Sequence, residues 1–399
     1  MLHRWNLNLI AAVFGAALSA GAADPLTAPR LTGIAPRLQE LVDSGQIPGA
    51  VFLVAHNGEI LLLQAVGHQS LEPDRPMRTD SIFQVMSMTK PITAAGLMML
   101  VEEGKVVLTE PVDKYLPEFR DQPLPTPPPQ GRRRMMVYQL LTHTNGMTDP
   151  PPERRQEIQC DLKLSLADAV KYYATLPLHF EPGTRWAYSN IGLATAGRII
   201  EVVSGMPYEQ FISQRILQPL GMKDSFYFPD AARIPRIAML YRAENGKLVP
   251  PGPNVLGGDP AKFRQGAKYP APEYGLYSTA SDLAAFYQMM LNGGTYKGRR
   301  YLSKSSVDVM TTLHTGSLET FNLGFGNGLA FTVPREAAST LDLLSTESFG
   351  HAGAFGTWSF ADKSKRLVGV MLIQLTGPNN TTAQHVFTAM VEAAVDGTK

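Results

Sequence analysis

Ser87-Met88-Thr89-Lys90-Pro91-Ile92-Thr93-Ala94-Ala95-Gly96-Leu97-Met98-Met99-Leu100 is the stretch on which the rest of the chain depends. Proline is tolerated in a first helical turn, and Gly104 stands where a helix would stop. The residues between are apolar on nearly every side, the mark of a buried helix. Ser87 and Lys90 then lie about one turn apart on one face, at the start of a core helix. An amine beside a hydroxyl, with helix N–H groups pointing outward, is a nucleophile's environment. Burial lowers a lysine's pKa and would let Lys90 act as a base toward Ser87.

The flanking chain supplies the frame. Leu31, Ile34, Leu38 and Leu41 form a helical stripe. Two apolar runs, Ala50 to Ala55 and Ile60 to Val66, flank Asn57-Gly58, a hairpin signal that places central antiparallel strands here. Helical patterns follow at Leu166–Leu176, Tyr208–Ile216 and Ser281–Leu291, with Ser281 as the expected N-cap, and Tyr188–Ser204 reads as a loop followed by a helix. Residues 228–272 are rich in glycine and proline and carry few periodic runs. Strands are expected at Gly328–Val333, Gly356–Ala361 and Arg366–Ile373, then a closing helix from Ala383 to Val395. Strands at both ends and helices between predict an α/β fold. An antiparallel sheet domain (24–80 plus 265–399), flanked by helices, would carry an inserted, mainly helical domain (81–264). A catalytic cleft is expected between them.

Composition narrows the function. The chain has 399 residues with 36 Lys+Arg against 35 Asp+Glu, and this balance gives no electrostatic reason to expect nucleic acid. The run Arg132-Arg133-Arg134 reads as a solvated loop edge. Residues 1–22 read as a signal peptide, with His3 and Arg4 before an apolar run and Ala20-Gly21-Ala22 as a cleavage site. The expectation is export, periplasmic or secreted, with no stable membrane anchor after processing. Cys160 is the only cysteine, so no internal disulfide forms.

Two further motifs accompany Ser87 and Lys90. In Gly183-Thr184-Arg185-Trp186-Ala187-Tyr188-Ser189-Asn190, the alternation of an extended loop lets Tyr188 and Asn190 point the same way. A phenol there can exchange protons with a nucleophile or leaving group, and an amide can hold both Lys90 and a substrate carbonyl. In Phe349-Gly350-His351-Ala352-Gly353-Ala354-Phe355-Gly356-Thr357, small residues allow close backbone approach, and the N–H groups of Ser87 and Ala354 are candidates for an oxyanion hole. His143 invites a triad reading, but its turn-like Thr-His-Thr-Asn-Gly setting favours a structural role.

In this order, the motifs resemble the serine β-lactamase and penicillin-binding-protein superfamily, and within it the class C-like branch with family VIII carboxylesterases. Supporting stretches are Leu140 to Gly146, Pro219-Leu220-Gly221-Met222 and Gly275 to Leu283. The resemblance implies acyl-enzyme chemistry with no metal and no cofactor. It makes Ser87 the nucleophile, gives Lys90 and Tyr188 the acid/base work, and assigns substrate positioning to Asn190, His351, Gly353 and Ala354. Class C β-lactamases carry Lys-Thr-Gly where this chain has His351-Ala352-Gly353. A histidine is often neutral at pH 7, which tilts the expectation from β-lactams toward esters. The expected partner is a small-molecule ester or amide. The rivals are a β-lactamase or D-amino-acid peptidase with the same machinery, and a binding or sensor module that is acylated without turnover.

Overall fold

The computed structural model describes residues 31–124, 134–320, 324–336, 343–377 and 379–395. The expected signal peptide, Arg132, Arg133 and most of the proline-rich 121–131 loop lie outside them. Arg134 pairs with the buried Asp113 at 2.6 Å, so this member of the basic run serves the fold.

An eight-stranded antiparallel sheet forms the centre. Its strands are β1 (Gly49–His56), β2 (Glu59–Leu71), β3 (Asp74–Pro76), β4 (Phe325–Asn327), β5 (Thr332–Pro334), β6 (Ser348–Gly353), β7 (Thr357–Asp362) and β8 (Leu367–Leu372). The spatial order is β4-β5-β6-β7-β8-β1-β2-β3, so the first and last strands in sequence meet at the middle. The β1–β2 hairpin turns at Asn57 and Gly58, both left-handed, as the Asn-Gly signal requires.

Strand alternation divides the core in two. On β1, Val51, Leu53 and Ala55 face one hydrophobic layer, while Ala50, Phe52 and Val54 face the other. The second layer is closed by α1 (Ile34–Asp43), through Ile34, Leu38 and Leu41, and by the C-terminal helix α5 (Asn379–Val395), through Phe387 and Val391. The first layer is filled by α2 (Thr89–Glu102), α3 (Asn190–Ser204) and α4 (Ala280–Leu291). Burying each large aliphatic side chain contributes about 1.5–3 kcal/mol. Because both faces are covered, α2 can be apolar all round, and its residues from Thr89 to Leu100 are all buried.

Several boundaries differ from expectation. Gly328–Val333 is not one strand. Gly328–Phe331 is the turn between β4 and β5, with Ala330 left-handed and its N–H bonded to the Leu141 carbonyl, and only Thr332 and Val333 of the expected strand enter β5. The Met310 carbonyl occupies the space a Gly328 side chain would need. Helix α4 is capped by Thr279, whose hydroxyl accepts the Asp282 N–H at 3.3 Å, and Ser281 sits inside the first turn. The closing helix starts at Asn379, four residues before the expected Ala383. Residues 228–272 contain a hairpin, Tyr241–Glu244 with Lys247–Val249, turning at Asn245-Gly246.

Candidate active site

Ser87 stands in a 3-10 turn, Met86–Met88, that runs into α2. Met86 before it is fully buried with φ of 51°, a left-handed conformation costly for an L side chain. Its neighbours hold it there. The Val85 N–H donates to the Leu276 carbonyl, Phe83–Gln84 pairs with Tyr277–Ser278, and Thr89 Oγ1 donates to the Met86 carbonyl at 2.7 Å. From the other side, Thr357 Oγ1 donates to the Val85 carbonyl at 2.9 Å. The sharp entry into the helix is therefore clamped by two strands distant in sequence.

Lys90 follows one turn later and is fully buried. Its Nζ lies 2.8 Å from Ser87 Oγ, 2.9 Å from Asn190 Oδ1 and 2.8 Å from the Glu273 carbonyl. Burial lowers its pKa to about 7, against the smaller opposing pull of Glu273 and Asp149. An amine and an ammonium are thus both accessible near neutrality.

Tyr188 reaches the same serine from the loop before α3, and its hydroxyl donates to Ser87 Oγ at 2.9 Å. Burial of the hydroxyl end pushes its pKa upward, so the phenol holds its proton. Ser189 N-caps α3 by accepting the Gly192 N–H, which places Asn190 on the first helical turn facing Lys90. Ser87, Lys90, Tyr188 and Asn190 therefore share one cluster, drawn from α2, the 183–189 loop and α3.

His143 is buried and left-handed, and its ring stacks on Tyr188 with centroids 4.5 Å apart. Its Nδ1 accepts the Ser189 N–H at 3.1 Å. It braces the Tyr188 loop and makes no hydrogen bond to Ser87, as the structural reading expects.

His351 lies on β6, with its ring centroid 6.5 Å from that of Tyr188. Its Nδ1–H donates to the Ala352 carbonyl at 2.7 Å. Burial, followed by the nearby Lys90, lowers its pKa to about 3, so the ring is neutral at pH 7. Gly353 ends the strand. A Cβ there would overlap Thr357 Oγ1 and the Val85 carbonyl. The need for glycine thus comes from the protein's own backbone, where the end of β6 abuts the segment leading to Ser87. Ala354 follows and is exposed. Cys160 stands apart, half-buried, with its thiol pKa pushed up by burial. Among the described residues no group of three or more His, Cys, Asp or Glu could hold a metal ion.

Two partners escape a motif search. Glu273 offers Lys90 a main-chain carbonyl, which any residue type could supply. Trp186 Nε1–H donates to Asn327 Oδ1 at 2.8 Å and ties the tyrosine loop to β4. The one sequence signal for Glu273 was a lone carboxylate inside the aromatic, proline-rich run Tyr269-Pro270-Ala271-Pro272-Glu273-Tyr274.

The fold and this cluster define a hydrolase of the β-lactamase and transpeptidase-like class. The family model for beta-lactamase matches residues 34–391, and the chain belongs to that family. It is 32% identical over 376 residues to Protein Rv1367c of Mycobacterium tuberculosis, covering 86% of this chain and 90% of that one. It is 31% identical over 372 residues to Esterase EstB of Burkholderia gladioli, with the same coverages of 86% and 90%. Among solved structures it is similar to EstCE1, described as a hydrolase with promiscuous acyltransferase activity. The TM-score is 0.79 at 23% identity, over 93% of this chain and 98% of that chain.

Proposed function

We propose that this protein cleaves carboxylic esters through an acyl-enzyme on Ser87, and that uncharged esters are its preferred class. The observation that carries this reading is the pair of contacts on one oxygen: Lys90 Nζ at 2.8 Å and Tyr188 OH at 2.9 Å from Ser87 Oγ. The two partners divide the proton work by their environments. Burial favours the neutral amine of Lys90, which takes the Ser87 proton as Oγ bonds to the substrate carbonyl carbon. Burial also keeps the Tyr188 phenol protonated, so it gives its proton to the departing alcohol oxygen as the C–O bond breaks. The Lys90 ammonium then restores the phenol proton. Water attacks the acyl carbon by the same route in reverse, and Ser87 is regenerated. The carbonyl oxygen sits between the N–H groups of Ser87 and Ala354. Asn190 holds Lys90 and faces the substrate side.

The neutrality of His351 supports esters over β-lactams and D-amino-acid peptides. Those substrates carry a carboxylate, and His351 offers it no fixed positive charge. The similarity to Esterase EstB points the same way. The test is turnover of a short-chain nitrophenyl ester beside a chromogenic cephalosporin, in wild type and Ser87→Ala. Ester turnover surviving Ser87→Ala would sink the reading, as would faster cleavage of the cephalosporin. Stoichiometric labelling of Ser87 with no second turnover would instead identify a binding or sensor module.

A further inference from the structure

Glu273 is fully buried, yet no cation bonds to its carboxylate. Its Oε1 accepts the Tyr269 hydroxyl at 2.9 Å, and its Oε2 has no protein partner. A carboxylate so enclosed is costly unless other charges compensate it. Two cations at longer range offset only part of that cost, and burial still raises the Glu273 pKa to about 7, the range in which Lys90 titrates. Lys90 is bonded to the main-chain carbonyl of this same residue, and Arg264 is buried on the preceding loop. The Arg264 guanidinium donates to the carbonyls of Gly257, Tyr227 and Gly275, and no carboxylate is bonded to it.

The other groups around this carboxylate leave its field intact. Tyr269 and Tyr274 on its own loop, and Tyr173 on the helix Leu166–Tyr173, are buried phenols that burial holds protonated. Facing Lys90 from their own elements, His143 and His351 are held neutral by burial. Asp149, on the loop after Met147, is a second carboxylate acting on Lys90, but it is exposed and screened by solvent. Glu273 is therefore the one buried carboxylate among the groups that act on Lys90.

We propose that Glu273 is a positioning residue for the reaction: its carboxylate, enclosed by tyrosines beside Lys90, sets the charge on Lys90 and with it the reactivity of Ser87. This rests on the acyl-enzyme reading above. A negative charge beside Lys90 favours the ammonium, while the base that activates Ser87 is the amine. Glu273 thus places the acid limb of activity higher than burial alone would. Lys90 and Glu273 titrate as a pair, and neither can lose its proton without altering the other. Below the limb the serine is guarded by an ammonium; above it the amine is released.

The test is the pH dependence of Ser87 reactivity in the full-length protein. It is followed as the rate of labelling by a fluorophosphonate and as kcat/KM for a nitrophenyl ester. Glu273→Gln keeps the main-chain carbonyl that holds Lys90 and removes only the charge. The acid limb should move down by about half a pH unit or more, a roughly threefold gain in labelling rate on the acid side. Tyr269→Phe removes the hydrogen bond that favours the carboxylate, and should move the limb the same way by less. It decides the matter if Glu273→Gln does not fold. A folded variant whose limb stays in place, or moves up, overturns the proposal, since a purely structural glutamate would change rates without moving the limb. Wild type labelled at Ser87 with an unmoved limb in the variant strikes Glu273 alone. Wild type unlabelled at every pH strikes the acyl-enzyme reading and this inference with it.

Discussion

Ser87 Oγ accepts two hydrogen bonds from groups whose protons burial has shifted in opposite senses. With the Lys90 amine as the proposed base, its depressed pKa, about 7, should make kcat/KM rise with pH through that region. A pH–rate profile flat between pH 6 and 8 would contradict the assignment. Lys90→Ala should lower kcat/KM by about 10²- to 10⁴-fold, the range for loss of a general base. Asn190→Asp would set an anion on the atom that now contacts Lys90 Nζ at 2.9 Å. It favours the ammonium, so the acid limb should move to higher pH, opposite to the shift from Glu273→Gln. His351 has a stability consequence as well. Its folded pKa, about 3, lies below the ordinary value of 6.5, so the unfolded chain binds more protons in that window. Its contribution is complete above pH 6.5 and is lost as pH falls toward 3, at on the order of 1.4 kcal/mol per pKa unit. His351→Gln should flatten the acid side of a denaturation midpoint measured against pH.

Elements carry the serine to its partners, and here the sequence was only partly legible. Ser87/Lys90 could be read because helical spacing alone puts i and i+3 on one face. Asn57-Gly58 could be read because a left-handed pair has few solutions. Asn245-Gly246 offered the same signal and escaped notice amid the glycine and proline around it. The left-handed Met86 had no signature, because beyond the local bond from Thr89 its conformation is held by Leu276 and Thr357, both reached through tertiary contact. Gly353 was legible as a small residue at a close approach, and the structure adds a neighbour the sequence did not name: it is crowded by Val85 and Thr357. Gly353→Ala should therefore push the end of β6 away from the Ser87 turn, costing about 1–3 kcal/mol of stability. The fall in kcat for ester cleavage should exceed any change in KM. Thr357→Val leaves the Val85 carbonyl without its donor and should cost about 1–3 kcal/mol. Urea denaturation beside steady-state kinetics checks both, and unchanged kcat in a folded Gly353→Ala protein would refute the clamp.

For the whole molecule, the sheet is the wall between the layer that holds the Ser87 cluster and a second hydrophobic layer. The second layer has its own buried ion pair. Lys365 Nζ, on the turn between β7 and β8, lies 2.6 Å from Oε2 of the fully buried Glu392 in α5. Removing Lys365 takes this cation away from a fully buried carboxylate, a loss on the scale of about 3–5 kcal/mol. Lys365→Met should lower the global denaturation midpoint accordingly and leave the KM of the remaining folded enzyme unchanged. A matching loss of ester affinity would mean the two layers are coupled through the sheet.

The meeting of β1 and β8 sets a schedule for biosynthesis. Val51 pairs with Leu372, and the Thr357 hydroxyl that braces the entry to Ser87 arrives almost as late. During translation the nucleophile, the amine and the phenol have all emerged before the strand that completes their support exists. Contacts so distant along the chain close slowly, and the incomplete polypeptide exposes an unpaired strand at the middle of its future sheet. The serine therefore cannot acquire its full geometry on a nascent chain. A product terminated before residue 348 carries Ser87, Lys90, Tyr188 and Asn190 without the Thr357 brace or the strand that pairs with β1.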